Sequence, residues 1–445
     1  MTDIDPRPHR PPAGRWTTAP RCVGKSVQHL ERARASIGGG VTSGLRSVLQ
    51  PQPLSFTSGR GSRLFDVDGN EYVDYVLGWG PVILGHAHPA VTDAVTAQVP
   101  RGQLFGGIHP GERIAAEKLL SAVPAFERVL WSNTGTEAIQ VAIRLARAAT
   151  GRNLIVKTSG AYHGWHDSVL LSYRGHRGGH EPVLATRGQN PRSVDDVRVV
   201  EFNDREDLAE FFGAHGQEVA AVLLDPVLSN TGVIAPDPDY LRDLRSTCDA
   251  HGALLVFDEV ITGFRVALGG AVELYGTIPD LAVYAKALGN GFSVAAVAGR
   301  ADVVDLVEQG CAHSGTYNGN ALAMAAVSAT LTELSRPGVH EQLWQTAGTL
   351  AEGLRRTFRD RRVRAHVHHL GPIVQVLPGV TDAVSPREFE GLDWSVWDRW
   401  SRRLSQAGLF LLPNGRMFLS TAHSSADIDV TLNAFGALDP DLLRG

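Results

Sequence analysis

Lysine is scarce in this chain of 445 residues, and one lysine stands where an amine could do chemistry. The four lysines are Lys25, Lys118, Lys157 and Lys286, so arginine supplies nearly all of the positive charge. Lys286 follows an apolar run at 281–284, which places its amine at the carboxyl end of a buried strand, where open α/β sheets bind ligands. Desolvation there favours the neutral amine, which can attack an aldehyde. The simpler interpretation is a lysine that closes the strand and pairs with a carboxylate.

A carboxylate occupies the same kind of position 28 residues earlier. Asp258 ends the apolar run 254–257, so it is also expected at the carboxyl edge of the sheet. An anion there would keep a pyridine nitrogen protonated, and the charged ring would then withdraw electrons from an attached carbon. The alternative is that Asp258 and Glu259 only cap the following segment. An amine and an anion on neighbouring strands suit an aromatic aldehyde that carries a ring nitrogen.

Two segments could bind a phosphate group. The run 132–138 (SNTGTEA) lies between an apolar strand at 129–131 and a helix, and Thr134 and Glu137 have capping-box spacing. Backbone amides, the positive helix end and threonine hydroxyls favour an anion there, although an ordinary helix cap has the same pattern. Residues 313–320, ahead of another helix, form a second possible anion site.

Aromatic and histidine side chains follow other predicted strands. Tyr162, after the strand at 154–156, could stack on a flat ring, although core packing is the ordinary role of such a residue. Two histidine pairs, His86 with His88 and His163 with His166, have spacings that begin some metal-dependent hydrolase sites. Such a site needs further ligands from other strand ends, so metal-dependent hydrolysis is the less favoured alternative.

Short apolar runs alternate with helical segments from about residue 90 to 299. They are typical of strands buried on both faces, so we predict an α/β fold with a mostly parallel sheet between layers of helices. Before this region, residues 63–76 predict a β-hairpin around Asp68-Gly69, for which we expect a type I′ turn. We divide the chain into a disordered extension, a first segment of a small domain, a large domain and a C-terminal small domain, at 1–22, 23–89, 90–335 and 336–445.

Composition and charge are those of an ordinary globular enzyme. The chain is 43% hydrophobic and 20% charged with a net charge of -5, so a nucleic acid or an anionic membrane surface is not an expected partner. Residues 1–21 lack the apolar stretch of a signal peptide, and no later segment is typical of a membrane span. The three cysteines have neither disulfide nor metal-site spacing, which favours a cytoplasmic location.

Several motifs together resemble the class III aminotransferases in their order and spacing. They are GHAHP at 85–89, NTGTEA at 133–138, YHG at 162–164, DEV at 258–260, TGFR at 262–265, and Lys286. The resemblance extends from about residue 37 to 435 and is greatest to the glutamate-1-semialdehyde 2,1-aminomutase branch, which includes transaminases of β-phenylalanine and D-phenylglycine. No single motif is specific, but their joint pattern is highly specific.

The resemblance implies a homodimeric enzyme of fold type I that uses pyridoxal 5′-phosphate (PLP), with a seven-stranded, mostly parallel sheet and a small α+β domain. Lys286 would form a Schiff base with PLP, and Asp258 would pair with the pyridine nitrogen. Val260 and Tyr162 would lie on the two faces of the ring, with His163 beside it. The phosphate would be bound by Thr134, Gly135, Thr136 and the partner subunit's Thr316.

The same resemblance implies substrate-binding residues. Arg46 matches an arginine that binds a substrate carboxylate in this branch, a role that suits a planar guanidinium, and Trp79 matches an aromatic residue near the substrate. Arg416 lies where the aminomutase has a glutamate-bearing stretch, and would bind a second carboxylate or an amino donor. Residues 173–192 do not match the gating loop of the aminomutase, and Asp225 replaces the glutamate of the family's Glu-Pro pair.

These observations predict an aminotransferase that acts on an amino acid or a related carboxylate-bearing amine, with ping-pong kinetics through Lys286. Its partners are expected to be a small-molecule amino donor and a carbonyl acceptor. The mismatch at 173–192 puts an intramolecular amino shift in doubt. We keep that shift, and amino epimerisation, as the alternative.

Overall fold

The computed structural model describes residues 21–49, 51–176, 178–382 and 385–439. Apart from Arg21 and Cys22, the predicted disordered extension 1–22 lies outside the described residues. Arg21 donates hydrogen bonds to the backbone carbonyls of Glu71 and Gln406, which ties the start of the described chain to two segments that are distant in sequence.

The described residues form fourteen strands and thirteen α-helices. The strands are β1 (Phe56–Arg60), β2 (Arg63–Asp66), β3 (Glu71–Asp74), β4 (Arg128–Ser132), β5 (Leu154–Thr158), β6 (Val197–Val200), β7 (Val219–Leu224), β8 (Leu254–Asp258), β9 (Leu281–Tyr284), β10 (Ala295–Gly299), β11 (Ala365–Leu370), β12 (Ile373–Pro378), β13 (Leu409–Phe410) and β14 (Arg416–Phe418). The helices are α1 (Gly24–Arg34), α2 (Pro89–Gln98), α3 (Pro110–Ala122), α4 (Gly135–Thr150), α5 (Arg205–His215), α6 (Pro238–His251), α7 (Gly270–Tyr275), α8 (Ala301–Val304), α9 (Ala321–Leu334), α10 (Val339–Asp360), α11 (Pro386–Glu390), α12 (Ser395–Gln406) and α13 (Ser425–Gly436).

A seven-stranded sheet lies at the centre of the described chain, in the order β4-β10-β9-β8-β7-β5-β6. Strands β5 to β9 are mutually parallel, and β10 runs antiparallel to both of its neighbours. Every residue of β7, β8 and β9 is buried, because helices cover both faces of the sheet. The prediction of a mostly parallel α/β sheet is confirmed.

The register of the central strands brings three strand ends together. Leu224 of β7 lies opposite Phe257 of β8, and Asp258 lies opposite Val283 of β9. Since parallel strands end at the same edge, the residues that follow them leave the sheet side by side. The chemistry-bearing side chains predicted from strand ends are therefore neighbours in space.

Helix α4 begins as the sequence predicts. Thr134 is the N-cap, its hydroxyl accepts from the Glu137 amide, and the Glu137 carboxylate accepts from the backbone of residue 134. Gly151 ends the helix in the left-handed conformation, where a residue without a Cβ is not strained. One face of α4 packs on the sheet through Ala138, Ile139, Ala142, Ile143, Leu145 and Ala146.

The N-terminal hairpin forms, but the predicted type I′ turn is wrong. Strands β2 and β3 pair antiparallel, and of the two turn residues only Gly69 has a positive φ, of 88°. The Asp66 carboxylate accepts from the amides of Asp68 and Asn70 and so stabilises a four-residue connection. Asp68 itself accepts hydrogen bonds from the first amides of α1, including that of Ser26. These bonds require the Asp68 carboxylate to lie outside a tight turn.

Two smaller sheets join the ends of the described chain. Strand β13 adds in parallel to β3, so the first and last segments share a sheet of order β1-β2-β3-β13. The other sheet has the order β11-β12-β14 and packs with α10, α12 and α13 around a core that includes Leu354, Phe358, Trp397, Trp400 and Phe435. Within the described ranges, no helix has both the length and the apolar character needed to cross a bilayer.

Candidate active site

A cavity of about 290 Å³ lies at the carboxyl edge of the large sheet. Its walls come from strand ends and from the loops that follow them. The predicted cofactor-binding residues that line it are Thr134, Gly135, Thr136, Tyr162, His163, Asp258, Val260 and Lys286. The structure therefore brings together every predicted cofactor-binding residue except Thr316.

Lys286 lines this cavity, and the pKa of its amine is unusually low. Desolvation and, to a smaller extent, the charge of Arg416 lower the pKa of its ammonium group to about 7, while Asp258 opposes the shift. Half of such amines are neutral at pH 7, compared with roughly 0.04% for a lysine of ordinary pKa. Lys286 also has a φ of 45°, in the left-handed region that residues with a side chain rarely adopt.

Asp258 is held as an anion by two donors. It is only 5% exposed, and it accepts from the Val260 amide at 3.1 Å and from Nδ1 of His163 at 2.7 Å. Burial lowers the pKa of His163, although Asp258 acts in the opposite direction, and its buried Nε2 has no partner among the described residues. A neutral His163 with its proton on Nδ1 satisfies this geometry and leaves the negative charge on Asp258.

The start of α4 offers amides to an anion. Glu137 already binds the amides of Asn133 and Thr134, and the Thr134 hydroxyl caps the helix, so the next amides, at Gly135 and Thr136, face the cavity wall. Gly135 makes a close approach here: a Cβ at this position would lie 3.0 Å from Cγ2 of Val260, so the Val260 side chain would have to shift by a few tenths of an ångström.

The predicted substrate residues lie outside this cavity. Arg46 and Trp79 line a second cavity of about 520 Å³, and the loop 78–81 runs from it to the first cavity. Arg416 is buried and donates hydrogen bonds to the Ser229 carbonyl and to the Asn230 side chain. Asn230 lines the cavity and Arg416 does not, so Arg416 lies behind Asn230. Its guanidinium is nevertheless close enough to influence Lys286.

Thr316 lies in a separate groove on the surface. The groove is formed by residues 103–109 and 315–319, and Thr316 is exposed. The same loop is tied to the cavity, since Asn133 donates to the side chain of Asn318 at 2.9 Å. Thr316 therefore does not line the cavity that contains Lys286.

One histidine of each pair has a carboxylate partner. Nε2 of His86 is 2.7 Å from the buried carboxylate of Asp74, and His163 binds Asp258. Among the described residues, no group of three or more His, Cys, Asp or Glu is arranged to hold a metal ion. The metal-dependent alternative therefore lacks the further ligands it requires within the described ranges.

Three residues near the cavity were not predicted as site residues. Asp225 and Asn230 line it after β7, and the strand-end rule that selected Asp258 also applies to Asp225. Lys157 is fully buried below the loop that carries Tyr162 and His163, and burial lowers its pKa to about 7. Its amine donates to the carbonyls of Ala161 at 3.0 Å and Leu171 at 2.6 Å, which a sequence pattern does not indicate.

Comparison with known proteins identifies the family. A family model for aminotransferase class-III matches residues 46–436, and a glutamate-1-semialdehyde 2,1-aminomutase of Desulfatibacillum aliphaticivorans is 38% identical over 92% of this chain and 98% of its own. The chain belongs to the class III aminotransferases. A solved transaminase with PLP bound superimposes on this class III enzyme with a TM-score of 0.88, at 31% identity over 95% of this chain and 99% of the other. A glutamate-1-semialdehyde aminomutase of Pseudomonas aeruginosa PAO1 gives 0.87, at 25% identity over 95% and 94%.

The cofactor of this class III enzyme is PLP, and the cavity offers a partner for each part of it. Lys286 presents an amine for the aldehyde, and Asp258 presents a fixed anion for the ring nitrogen. The first amides of α4 can receive the phosphate. Two further features fit a cavity that binds a group better than they fit an empty core. Nε2 of His163 is buried without a partner among the described residues, and Gly135, which has no Cβ, approaches Val260 closely.

Replacing Lys157 with methionine is expected to weaken PLP binding by roughly tenfold and to change the circular dichroism of the bound cofactor. The substitution leaves two buried carbonyls without a donor, each at a cost of about 1–3 kcal/mol, so the loop that carries Tyr162 and His163 shifts. Equilibrium dialysis and visible circular dichroism measure both effects. Lys118, an exposed lysine bonded to Thr332, provides the matched control. Equal behaviour of Lys157→Met and Lys118→Met would contradict this role.

Proposed function

We propose that this enzyme moves an amino group on a carboxylate-bearing substrate, with Lys286 and Asp258 as its catalytic pair. The observation that carries the proposal is the convergence of an amine of lowered pKa and a doubly hydrogen-bonded carboxylate on one cavity, from adjacent strands. When bound, PLP supplies an aldehyde that bonds to amines and a ring that accepts electrons from the neighbouring carbon.

The residues of the chain do the remaining work. The Lys286 amine would hold the cofactor and, as a free amine, would carry a proton to or from the reacting carbon of the substrate. Asp258, oriented by His163, keeps the ring nitrogen protonated. Gly135 and Thr136 bind the phosphate, and Val260 and Tyr162 hold the ring flat between them.

An intramolecular 2,1-amino shift of the glutamate-1-semialdehyde type is the first candidate for the overall reaction. It is supported by curated relatives of that name, which reach 41% identity over 92% of the chain in Desulforudis audaxviator. These relatives favour the alternative to our prediction of intermolecular transamination. Residues 173–192 do not match the gating loop of the aminomutase, and such a mismatch indicates a different entrance to the site more directly than a different reaction.

Intermolecular transamination with ping-pong kinetics is the second candidate, and Arg416 favours it. Burial lowers the pKa of Arg416 to about 10, and among the described residues no carboxylate forms an ion pair with it. A buried guanidinium without an ion-pair partner suits a substrate carboxylate that reaches it past Asn230, and Arg46 offers a second cation in the adjoining cavity. Two cations suit an enzyme that binds a donor and an acceptor in turn.

One experiment separates the two candidates. The PLP-loaded enzyme is given glutamate 1-semialdehyde with no keto acid, and products are followed by mass spectrometry over many turnovers. Repeated conversion to the isomer that carries its amino group on carbon 1 supports the amino shift. Transamination instead gives no such isomer, and with an amino acid that lacks an aldehyde or ketone as the donor it stops after a single turnover until a keto acid is added. The absence of any amino transfer, with PLP bound, would contradict both candidates.

Replacing Arg46 with alanine is expected to raise the apparent KM for carboxylate substrates by roughly tenfold or more, with a smaller change in kcat. Among the described residues, the Arg46 guanidinium forms a hydrogen bond only with the Thr42 hydroxyl, at 2.6 Å, so it has donors left for a bidentate pair with a carboxylate. Steady-state kinetics with carboxylate substrates, and with amines that lack one, measure the effect. Arg113→Ala, on the surface of α3, is the control. An equal loss on both substrate classes would argue against this role.

We also propose a cytoplasmic homodimer in which Thr316 completes the phosphate site of the other subunit. Beside Thr316, the side chains of Phe105, Ile108 and Tyr317 are exposed, and Ile108 is 98% exposed. Apolar side chains grouped in this way favour a protein interface. Analytical ultracentrifugation is expected to show a dimer for the wild type and mostly monomer for Ile108→Asp. A monomeric wild type that is fully active would contradict the shared site.

A further inference from the structure

A second carboxylate stands beside Asp258 in the catalytic cavity. Asp225 directly follows β7, is only 3% exposed and lines the cavity. Because Leu224 pairs with Phe257 in the parallel register, Asp225 and Asp258 leave the sheet at adjacent positions. Neither the amine chemistry of Lys286 nor the pairing of the ring nitrogen uses Asp225, so a buried ionisable group in the site has no assigned role.

The surroundings of the two carboxylates differ. Asp258 receives N–H donors on both oxygens, from His163 and Val260, whereas Oδ1 of Asp225 is buried without a partner among the described residues. Two carboxylates this close in a desolvated site do not both ionise. The negative charge is therefore better held by Asp258, and the proton by Asp225.

Other charges near Asp225 do not reverse this assignment. Burial raises its pKa well above the ordinary value, and the charge of Asp258 adds to the shift. Lys286 and the amides of Ser229 and Val227 act in the opposite direction. Arg416, behind the wall, is also close enough to interact with Asp225. The balance of these effects still favours the neutral acid.

We propose that Asp225 is a neutral carboxylic acid in the working site and donates a hydrogen bond from Oδ1 to an oxygen of the bound cofactor's ring. A protonated carboxyl offers one donor, and the phenolic oxygen of PLP is an electron-rich acceptor. The two carboxylates then divide their roles, one binding the ring nitrogen as an anion and the other binding the ring oxygen as an acid. This proposal rests on the proposed catalytic site and adds a cofactor-binding residue to it.

Infrared difference spectroscopy tests the protonation state directly. The PLP-loaded wild type at pH 7.5 is expected to show a carbonyl stretch of a protonated carboxyl group that Asp225→Asn lacks. Glu259 is also buried, with a pKa raised to about 7, so Glu259→Gln identifies the band of that second group. Absence of any band that is specific to Asp225 would overturn the proposal.

Cofactor affinity tests the hydrogen bond. Asp225→Leu removes the donor, so its dissociation constant for PLP is expected to rise roughly tenfold, while Asp225→Asn keeps a donor and should lose less than about threefold. Equilibrium dialysis measures both, and thermal unfolding shows whether each variant is folded. Equal losses in the two variants, or no loss in Asp225→Leu, would overturn the proposal. If the wild type binds PLP but moves no amino group, the proposed function is contradicted. The infrared and affinity measurements still test the role of Asp225 in that case.

Discussion

Replacing Lys286 with alanine is expected to lower turnover by roughly 10⁴-fold or more and to abolish the imine absorbance of bound PLP. The change removes both the covalent attachment of the cofactor and the base that moves the proton. Among the described residues, Lys286 is the only lysine that lines the cavity wall, and desolvation keeps roughly half of its amine neutral at pH 7. Absorbance spectroscopy and steady-state kinetics on the purified variant measure the two effects.

Two variants control for this prediction. Lys118→Ala removes an exposed lysine and should leave spectrum and rate unchanged. Lys286→Arg keeps a positive charge but cannot form the imine, so it should be as inactive as the alanine variant. An imine spectrum in Lys286→Ala would transfer the role to another amine, for which the buried Lys157 is the first candidate to examine.

Replacing Asp258 with asparagine is expected to lower turnover by roughly 10³-fold while PLP stays bound. Asparagine keeps the size of the side chain but not the charge that holds the ring nitrogen protonated, so electrons are withdrawn less strongly from the reacting carbon. His163 also loses the anion to which it donates. Stopped-flow kinetics of the first amino transfer, and dialysis for PLP, separate the rate from the binding.

A conservative variant distinguishes charge from shape at this position. Asp258→Glu retains the carboxylate at a longer reach, so it should recover part of the rate that asparagine loses. If asparagine proves faster than glutamate, position would matter more than charge, and the assigned role of Asp258 would be wrong.

The central sheet was predictable because its strands are short, apolar and buried on both faces. Strand β10 was not predicted, since its sequence of alanine, valine and glycine lacks the bulky residues that mark a strand. The type I′ turn failed for a different reason: Asp66 and Asp68 use their carboxylates to bind backbone amides, and dipeptide preferences do not include such contacts.

The site was predictable as far as local rules apply. The positions of Lys286 and Asp258 at the ends of apolar runs predicted both residues as site residues, and capping-box spacing predicted the start of α4. The buried position of Arg416 and the link from Lys157 to the loop at 161–171 depend on contacts between distant segments, and no spacing in the sequence reveals them. Residues that act through tertiary contacts therefore emerged only from the structure.

The left-handed backbone of Lys286 has a consequence for how this protein can evolve. Glycine adopts this conformation without strain, so a glycine there would make the cofactor-free fold more stable by about 1 kcal/mol. Selection for stability alone would thus discard the very side chain on which catalysis depends. Consensus-based or heat-driven engineering of this enzyme should therefore hold residue 286 fixed and seek its gains elsewhere.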